Sequence, residues 1–272
     1  MSEQLKVDIN NALETVRKLP AKKRLDAILE YPDQAELVKA LTPQDLLLTI
    51  EEVGGEHALE LIELLKPKQV KELFDFALWD NDTLDVEKTG HWLSLLFEAN
   101  ADRAIEQIDG LDIELLGFMF KLVADMYDVT LEEEPPETCE LMSKSPDGRF
   151  IICFKDHDQY KGLARAMYNY IESLYGVDMK RALSFLEQVR FELSSGLLES
   201  SFRFRDARLL DWGILPRDER LAYFSTLSVG QLKKVALKPA IAIEAVHSSF
   251  PLMVQVEHLG EKYPFLEAAL KD

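Results

Sequence analysis

Leu41-Thr42-Pro43-Gln44-Asp45-Leu46 and Leu65-Lys66-Pro67-Lys68-Gln69-Val70 repeat one pattern, Leu-x-Pro-x-polar-apolar, 24 residues apart. Each copy reads as a helix start. Proline at the first helical position gives up an N–H that has no intrahelical partner there, Thr42 supplies a capping oxygen, and a polar residue precedes the apolar stripe. Behind each start the apolar residues recur at helical spacing: Leu46, Leu47, Ile50 and Val53, then Ala58, Leu59, Ile62 and Leu65, then Val70, Leu73, Phe74, Ala77 and Leu78. Gly54-Gly55 separates the first helix from the next. Such short helices are marginal alone and must bury their stripes against neighbours, which predicts a stacked superhelix of the α-solenoid type. Leu111-Asp112-Ile113 and Leu227-Ser228-Val229 keep the rhythm without the proline, with Asp112 and Ser228 as caps.

Beyond this region, Asp85 predicts a helix through Trp92, Leu95 and Leu96, and further helices start at Arg103 and run from Glu114 to about Tyr127. Glu132-Glu133-Glu134-Pro135-Pro136 is an acidic, proline-bearing connection that divides the chain into 1–134 and 135–272. Ser145-Pro146-Asp147-Gly148 is a turn flanked by Cys139–Met142 and by the strand formers Phe150-Ile151-Ile152-Cys153-Phe154, which together predict a small β-hairpin. Helices then resume over 160–175, 178–193, 198–209, 217–227 and 230–246. The expected class is all-α, with one hairpin and a C-terminal helical bundle packed on the first half.

A chain of 272 residues with 47% hydrophobic content can form a real core. Its net charge of −18 is uneven: residues 1–50 carry −1, residues 51–140 carry −18 and residues 141–272 carry +1. Phosphate backbones are repelled by the middle segment, so nucleic acid is not the expected partner. The opening Met1-Ser2-Glu3-Gln4-Leu5-Lys6 lacks the basic flank and apolar run of a signal peptide, and no apolar run approaches bilayer length, so the expectation is a cytoplasmic protein without membrane insertion. Cys139 and Cys153 stand alone, without a CxxC pair or a histidine at zinc spacing, and fit a reducing compartment.

The chemistry-bearing candidates are few. Asp80-Asn81-Asp82-Thr83-Leu84-Asp85 opens like a calcium loop but puts Leu84 fifth, Asp85 where the loop needs glycine and His91 where it needs glutamate. The ordinary reading is that Asp82 and Asp85 end one helix and cap the next; the sharper one is a hydrated magnesium site on Asp80, Asp82 and Asp85. Glu52, Glu56, Glu60 and Glu63 lie along one helical side, compensated by solvent and lysines or by a cation or basic partner. Asp156-His157-Asp158 sits in a loop, and the remaining histidines, His57, His91, His247 and His258, have no catalytic context. Phe202-Arg203-Phe204-Arg205 with Arg208 is a basic cluster interleaved with aromatics, and in so acidic a chain Arg203, Arg205 and Arg208 are expected to clamp the middle segment intramolecularly. No glycine-rich phosphate loop, nucleophile elbow or Cys-His pairing occurs.

The tandem Leu-x-Pro starts, the Ala58–Leu65 helix and the acidic faces over residues 35–128 resemble the N-terminal helical domain of MgtE-type magnesium transporters. That resemblance implies a helical superhelix and regulatory magnesium binding; ion transport is not implied, since no transmembrane region follows. Phe76-Ala77-Leu78-Trp79-Asp80, the acidic exit over 127–136, the hairpin and Phe202–Gly213 together resemble an uncharacterised bacterial family of unknown function, which implies a fold and no activity. The expected function is a non-enzymatic interaction or scaffold module that binds a protein partner. A divalent-cation-responsive regulatory module is the alternative, and an enzyme of unrecognised type the third reading.

Overall fold

Proline-started helices set the frame of the first half. The structure, a computed structural model, describes residues 3–216 together with 219 and 221. Its helices are α1 (Glu3–Arg17), α2 (Ala21–Leu29), α3 (Gln34–Ala40), α4 (Pro43–Val53), α5 (Leu59–Leu64) and α6 (Pro67–Ala77), followed by a two-stranded hairpin of β1 (Trp79–Asp80) and β2 (Thr83–Leu84). Next come α7 (Val86–Ala99), α8 (Ala101–Asp109), α9 (Ile113–Val123) and β3 (Ala124–Asp128). The chain continues through β4 (Leu141–Lys144), β5 (Phe150–Phe154), α10 (Lys161–Val177), α11 (Met179–Phe191) and α12 (Ser194–Asp211). The described protein is thus largely α-helical with two small sheets. The expected helices over 217–227 and 230–246, like the Leu227 echo, lie outside the described residues.

Both Leu-x-Pro motifs open helices. At α4, Thr42 Oγ1 accepts the Asp45 N–H at 3.1 Å while an Asp45 carboxylate oxygen accepts the Thr42 N–H at 3.4 Å, a reciprocal cap that satisfies two orphan donors. At α6, Gln69 Oε1 accepts the Lys66 N–H at 3.3 Å, and the same side chain donates from Nε2 to the Val38 carbonyl at 2.8 Å. Gln69 therefore starts its own helix and adds a second donor at the end of α3, where the Leu41 N–H also reaches the Val38 carbonyl. Gln107 in α8 repeats the device one step along: its Nε2 donates to the Ile62 and Leu65 carbonyls at 3.0 and 2.9 Å, closing α5. Both glutamines are buried, so their amides replace water that cannot enter. Farther on, α7 and α10 cross so closely that a Cβ on Gly90 would stand 2.6 Å from the Leu163 nitrogen. Only glycine fits there.

One contiguous apolar cluster runs from Val16 in α1 to Leu197 in α12, with Phe74, Phe120 and Phe150 fully buried in it. The expected hairpin forms as β4 and β5, and β5 also pairs antiparallel with β3, giving the order β3-β5-β4. Three sequence expectations need correction. The helix starting near Glu114 ends at Val123 instead of Tyr127, because Ala124–Asp128 pairs residue for residue with β5, a partner that a local helical pattern does not register. Asp80-Asn81-Asp82 does not simply end a helix: Trp79 pairs with Leu84 and Asp80 with Thr83, with Asn81 at φ 54° in the turn, a left-handed conformation that asparagine tolerates. Cys139 and Cys153 do not stand alone. The hairpin brings their Cα atoms to 6.0 Å and they are joined as a disulfide.

The two expected halves, 1–134 and 135–272, meet in the three-stranded sheet, since β3 precedes the acidic connection and β4 and β5 follow it.

Candidate functional site

An open groove of about 330 Å³ lies between the end of the β4–β5 hairpin and the first turns of α10. Leu141, Met142, Phe154, Ala164 and Tyr168 form its apolar surface, and Lys155, Lys161 and Arg165 stand around it. Register places these groups: Leu141 pairs with Phe154, and Phe154 meets the Tyr168 ring edge-on at 6.3 Å. Leu141 is 46% and Met142 58% exposed, so the groove is apolar surface left open to water.

The cations around it are used unequally. Lys161 Nζ pairs with Asp158 at 2.6 Å. Lys155 Nζ donates to the Lys121 and Leu122 carbonyls at 2.7 and 3.2 Å, capping the end of α9 without being neutralised. Arg165 has no carboxylate partner among the described residues. Lys155 and Arg165 thus stand beside the apolar groove without a carboxylate partner among the described residues.

The arginine cluster lies elsewhere. Arg208 grips Asp75 through both carboxylate oxygens, at 2.6 and 2.9 Å, and its third nitrogen stands 2.7 Å from Asp112, which in turn meets Lys71 at 3.1 Å. Asp75 is 2% exposed; burial pushes its carboxyl above the ordinary range even though the Arg208 hydrogen bonds and charge pull the other way. Arg205 Nε donates to the Asp75 carbonyl at 2.8 Å and Nη1 to the Asn81 carbonyl at 3.2 Å, with its guanidinium 5.1 Å from the centre of the Trp79 ring. Arg203 does not join them: its guanidinium lies over its neighbour Phe204 at 5.6 Å. Two of the three arginines thus tie α12 to the acidic middle segment.

The aspartates proposed for magnesium go separate ways. Asp85 accepts the Lys88 N–H at 3.0 Å as the cap of α7, and Asp80 accepts the Asn81 side-chain amide at 2.9 Å. Among the described residues no group of three or more His, Cys, Asp or Glu side chains is placed to hold a metal ion. Glu52, Glu56 and Glu60 are exposed, while Glu63 accepts the Asn100 amide at 2.8 Å. In the Asp156-His157-Asp158 segment, Asp158 pairs with Lys161 and the His157 ring packs near Tyr160. His247 and His258 lie outside the described residues.

A second cavity of about 260 Å³ is lined by Phe120, Lys121, Asp125, Tyr127, Val189 and Arg190, among others. Burial lowers the Lys121 ammonium and raises the Tyr127 phenol; Lys121 donates to the Glu192 carbonyl, and Arg190 pairs with Glu133. No hydrogen bond links Lys121, Asp125 and Tyr127 to one another among the described residues, so no acid–base pair is assembled there.

Sequence reading missed the groove and the two buried glutamines. Their signals were weak: exposed apolar residues on a predicted strand beside lysines, and a glutamine on the apolar side of a helix.

A family model matches residues 2–272, which is nearly the full length. The chain belongs to DUF6178, a family of unknown function. This agrees with the resemblance to an uncharacterised family, and nothing in the match supports the likeness to the magnesium-transporter domain. Searches of curated proteins and of solved structures found no match, so the family brings neither an activity nor a relative of known role. Among the described residues no helix is long and apolar enough to cross a membrane.

Proposed function

We propose that this member of DUF6178 is a non-enzymatic interaction module that engages a protein partner through the groove between β4, β5 and α10. In this reading the stacked helices α3 to α8 are the platform, and the sheet presents the binding face. One observation carries the reading: Leu141 and Met142 stay exposed next to Lys155 and Arg165, cations without a carboxylate partner among the described residues. Water-facing apolar area costs roughly 25 cal/mol per Å² relative to burial, and covering it with a partner recovers that free energy. Asp75 and Arg208 neutralise each other in the interior, whereas the groove keeps both apolar area and charge at the surface.

A photo-crosslinking residue at position 142 tests this in the native cell, with position 191 as the control, because Phe191 is exposed and apolar but distant in sequence from the groove. The expected result is a discrete adduct at 142 that disappears on Arg165→Glu and is not formed from 191. The same adducts from both positions, or none from 142, would reject the groove.

A further inference from the structure

We infer that the occupant of this groove is an extended, acidic peptide segment that adds to the sheet as a fourth strand along β4. This rests on the groove being a partner site and specifies what the partner must present. Three observations converge on it.

The first is the open edge. β5 is the central strand, and its two sides alternate: the Val129 N–H donates to the Arg149 carbonyl and the Lys155 N–H to the Val123 carbonyl, so odd positions of β5 face β3. Even positions face β4, as the Ser145 N–H bonded to the Phe150 carbonyl at 2.9 Å shows. With Leu141 opposite Phe154 and Ser143 opposite Ile152, the backbone groups of Leu141, Ser143 and Ser145 turn toward β5. Those of Met142 and Lys144 turn the other way, where the sheet has no further strand among the described residues. They offer two donors and two acceptors at strand spacing, which an added strand pairs and a compact ligand does not.

The second is rigidity. Cys139, just before β4, is bonded to Cys153 in β5, opposite Met142, so the start of the edge strand is fixed to its neighbour. A four-residue edge strand frays easily; holding it in place lowers the ordering cost of pairing.

The third is charge. Lys155 and Arg165 lie beside the groove without carboxylate partners among the described residues, and Lys144 projects from the edge strand itself. The acids nearest in sequence are Glu140, Asp147, Asp156 and Asp158; Asp147 accepts from Ser145 and Tyr175, and Asp158 is already held by Lys161. An acidic strand is attracted here and repelled by the −18 carried by residues 51–140, which confines it to this edge. Alternation supplies the rest: apolar side chains of an added strand lie against Leu141, Phe154 and Tyr168, while the acidic ones on the opposite face meet Lys144.

The probe is a fluorescent six-residue peptide alternating glutamate and valine, titrated into the full chain at physiological salt and followed by anisotropy. Saturable binding is expected. It should weaken by about tenfold or more on Arg165→Glu, which reverses one charge. A similar loss is expected on Lys144→Pro, which removes an outward N–H that β5 does not use. Methylating the probe's alternate backbone nitrogens should likewise abolish binding, and the lysine-for-glutamate peptide should not bind. The inference is overturned by an absence of binding at millimolar peptide, by indifference to backbone methylation, or by equal binding of the lysine peptide. Full displacement by dodecanoate with no effect of Lys144→Pro would also overturn it, because the groove would then hold an amphiphile without using the edge. Adducts at position 142 with none of this peptide binding would leave the interaction module standing and remove only the strand-addition mode.

Discussion

The α12 junction and the β4–α10 groove both gather cations against apolar side chains, and they use them oppositely. Where α12 meets α6 and α9, Arg208, Lys71, Asp75 and Asp112 alternate in sign and every charge has a partner within 3.1 Å. At the β4–α10 groove, Lys155 and Arg165 face water beside uncovered Leu141 and Met142. A buried ion must be paired because its desolvation is otherwise uncompensated, whereas an exposed one is held in place by solvent and stays available. Completed pairing marks the first place as part of the fold; its absence marks the second as a surface for something else.

The difference makes graded predictions. The largest effect belongs to the junction: Arg208→Met strands the Asp75 carboxylate in the interior and should cost about 3–5 kcal/mol in denaturant unfolding. A loss below about 1 kcal/mol would mean that the junction is no more structural than the groove. Next, Gln107→Leu keeps the volume but takes the side-chain donor from the Leu65 carbonyl and leaves the Ile62 carbonyl with the Leu65 N–H alone, and should cost about 1–3 kcal/mol by the same measurement.

Acid unfolding sharpens the contrast between two paired aspartates. Burial alone would raise Asp128, but hydrogen bonds from Arg149 and Thr130 outweigh it and hold the carboxyl down to about 2. A folded value below the ordinary 3.8 means that Asp128 stabilises the protein fully above that range and that this contribution is lost as pH falls toward about 2. Arg149→Met should therefore start acid unfolding at higher pH, followed by far-ultraviolet circular dichroism. Asp75 has the opposite sign: its raised folded value means that protonation favours the fold as pH drops and partly offsets the acid loss, so Asp75→Asn should steepen rather than flatten the acid limb. The smallest effect is at the groove, where Arg165→Glu should change stability by less than about 0.5 kcal/mol while removing the adduct at position 142.

Much of the helical frame was legible because its signals are local. Thr42, Asp85 and the two prolines act within four residues of where they stand, and the Ser145–Gly148 turn fixes its own hairpin. The likeness to an uncharacterised family was legible too, in Phe76–Asp80 and Phe202–Gly213. What was not legible depends on distant partners. Ala124–Asp128 becomes a strand because β5 lies beside it, and the apolar spacing of α9 would otherwise carry the helix onward. Arg208 reaches a partner 133 positions away, so its general role could be expected from charge balance while Asp75 could not be singled out. Cys139 and Cys153 meet only once the hairpin has formed. The groove was hidden for the same reason, since α10 must dock on the sheet before Leu141, Arg165 and Tyr168 become neighbours.

The acidic connection at 132–136 looks like a place to divide the chain, yet β3 comes from one side of it and the strand that β3 pairs with comes from the other. A protease that nicks this exposed stretch would sever the covalent chain without separating the pieces: five paired positions and a shared apolar interior would keep both fragments in one particle. Expressed separately, each fragment would bare an unsatisfied sheet edge, and the two would be expected to find each other again when mixed.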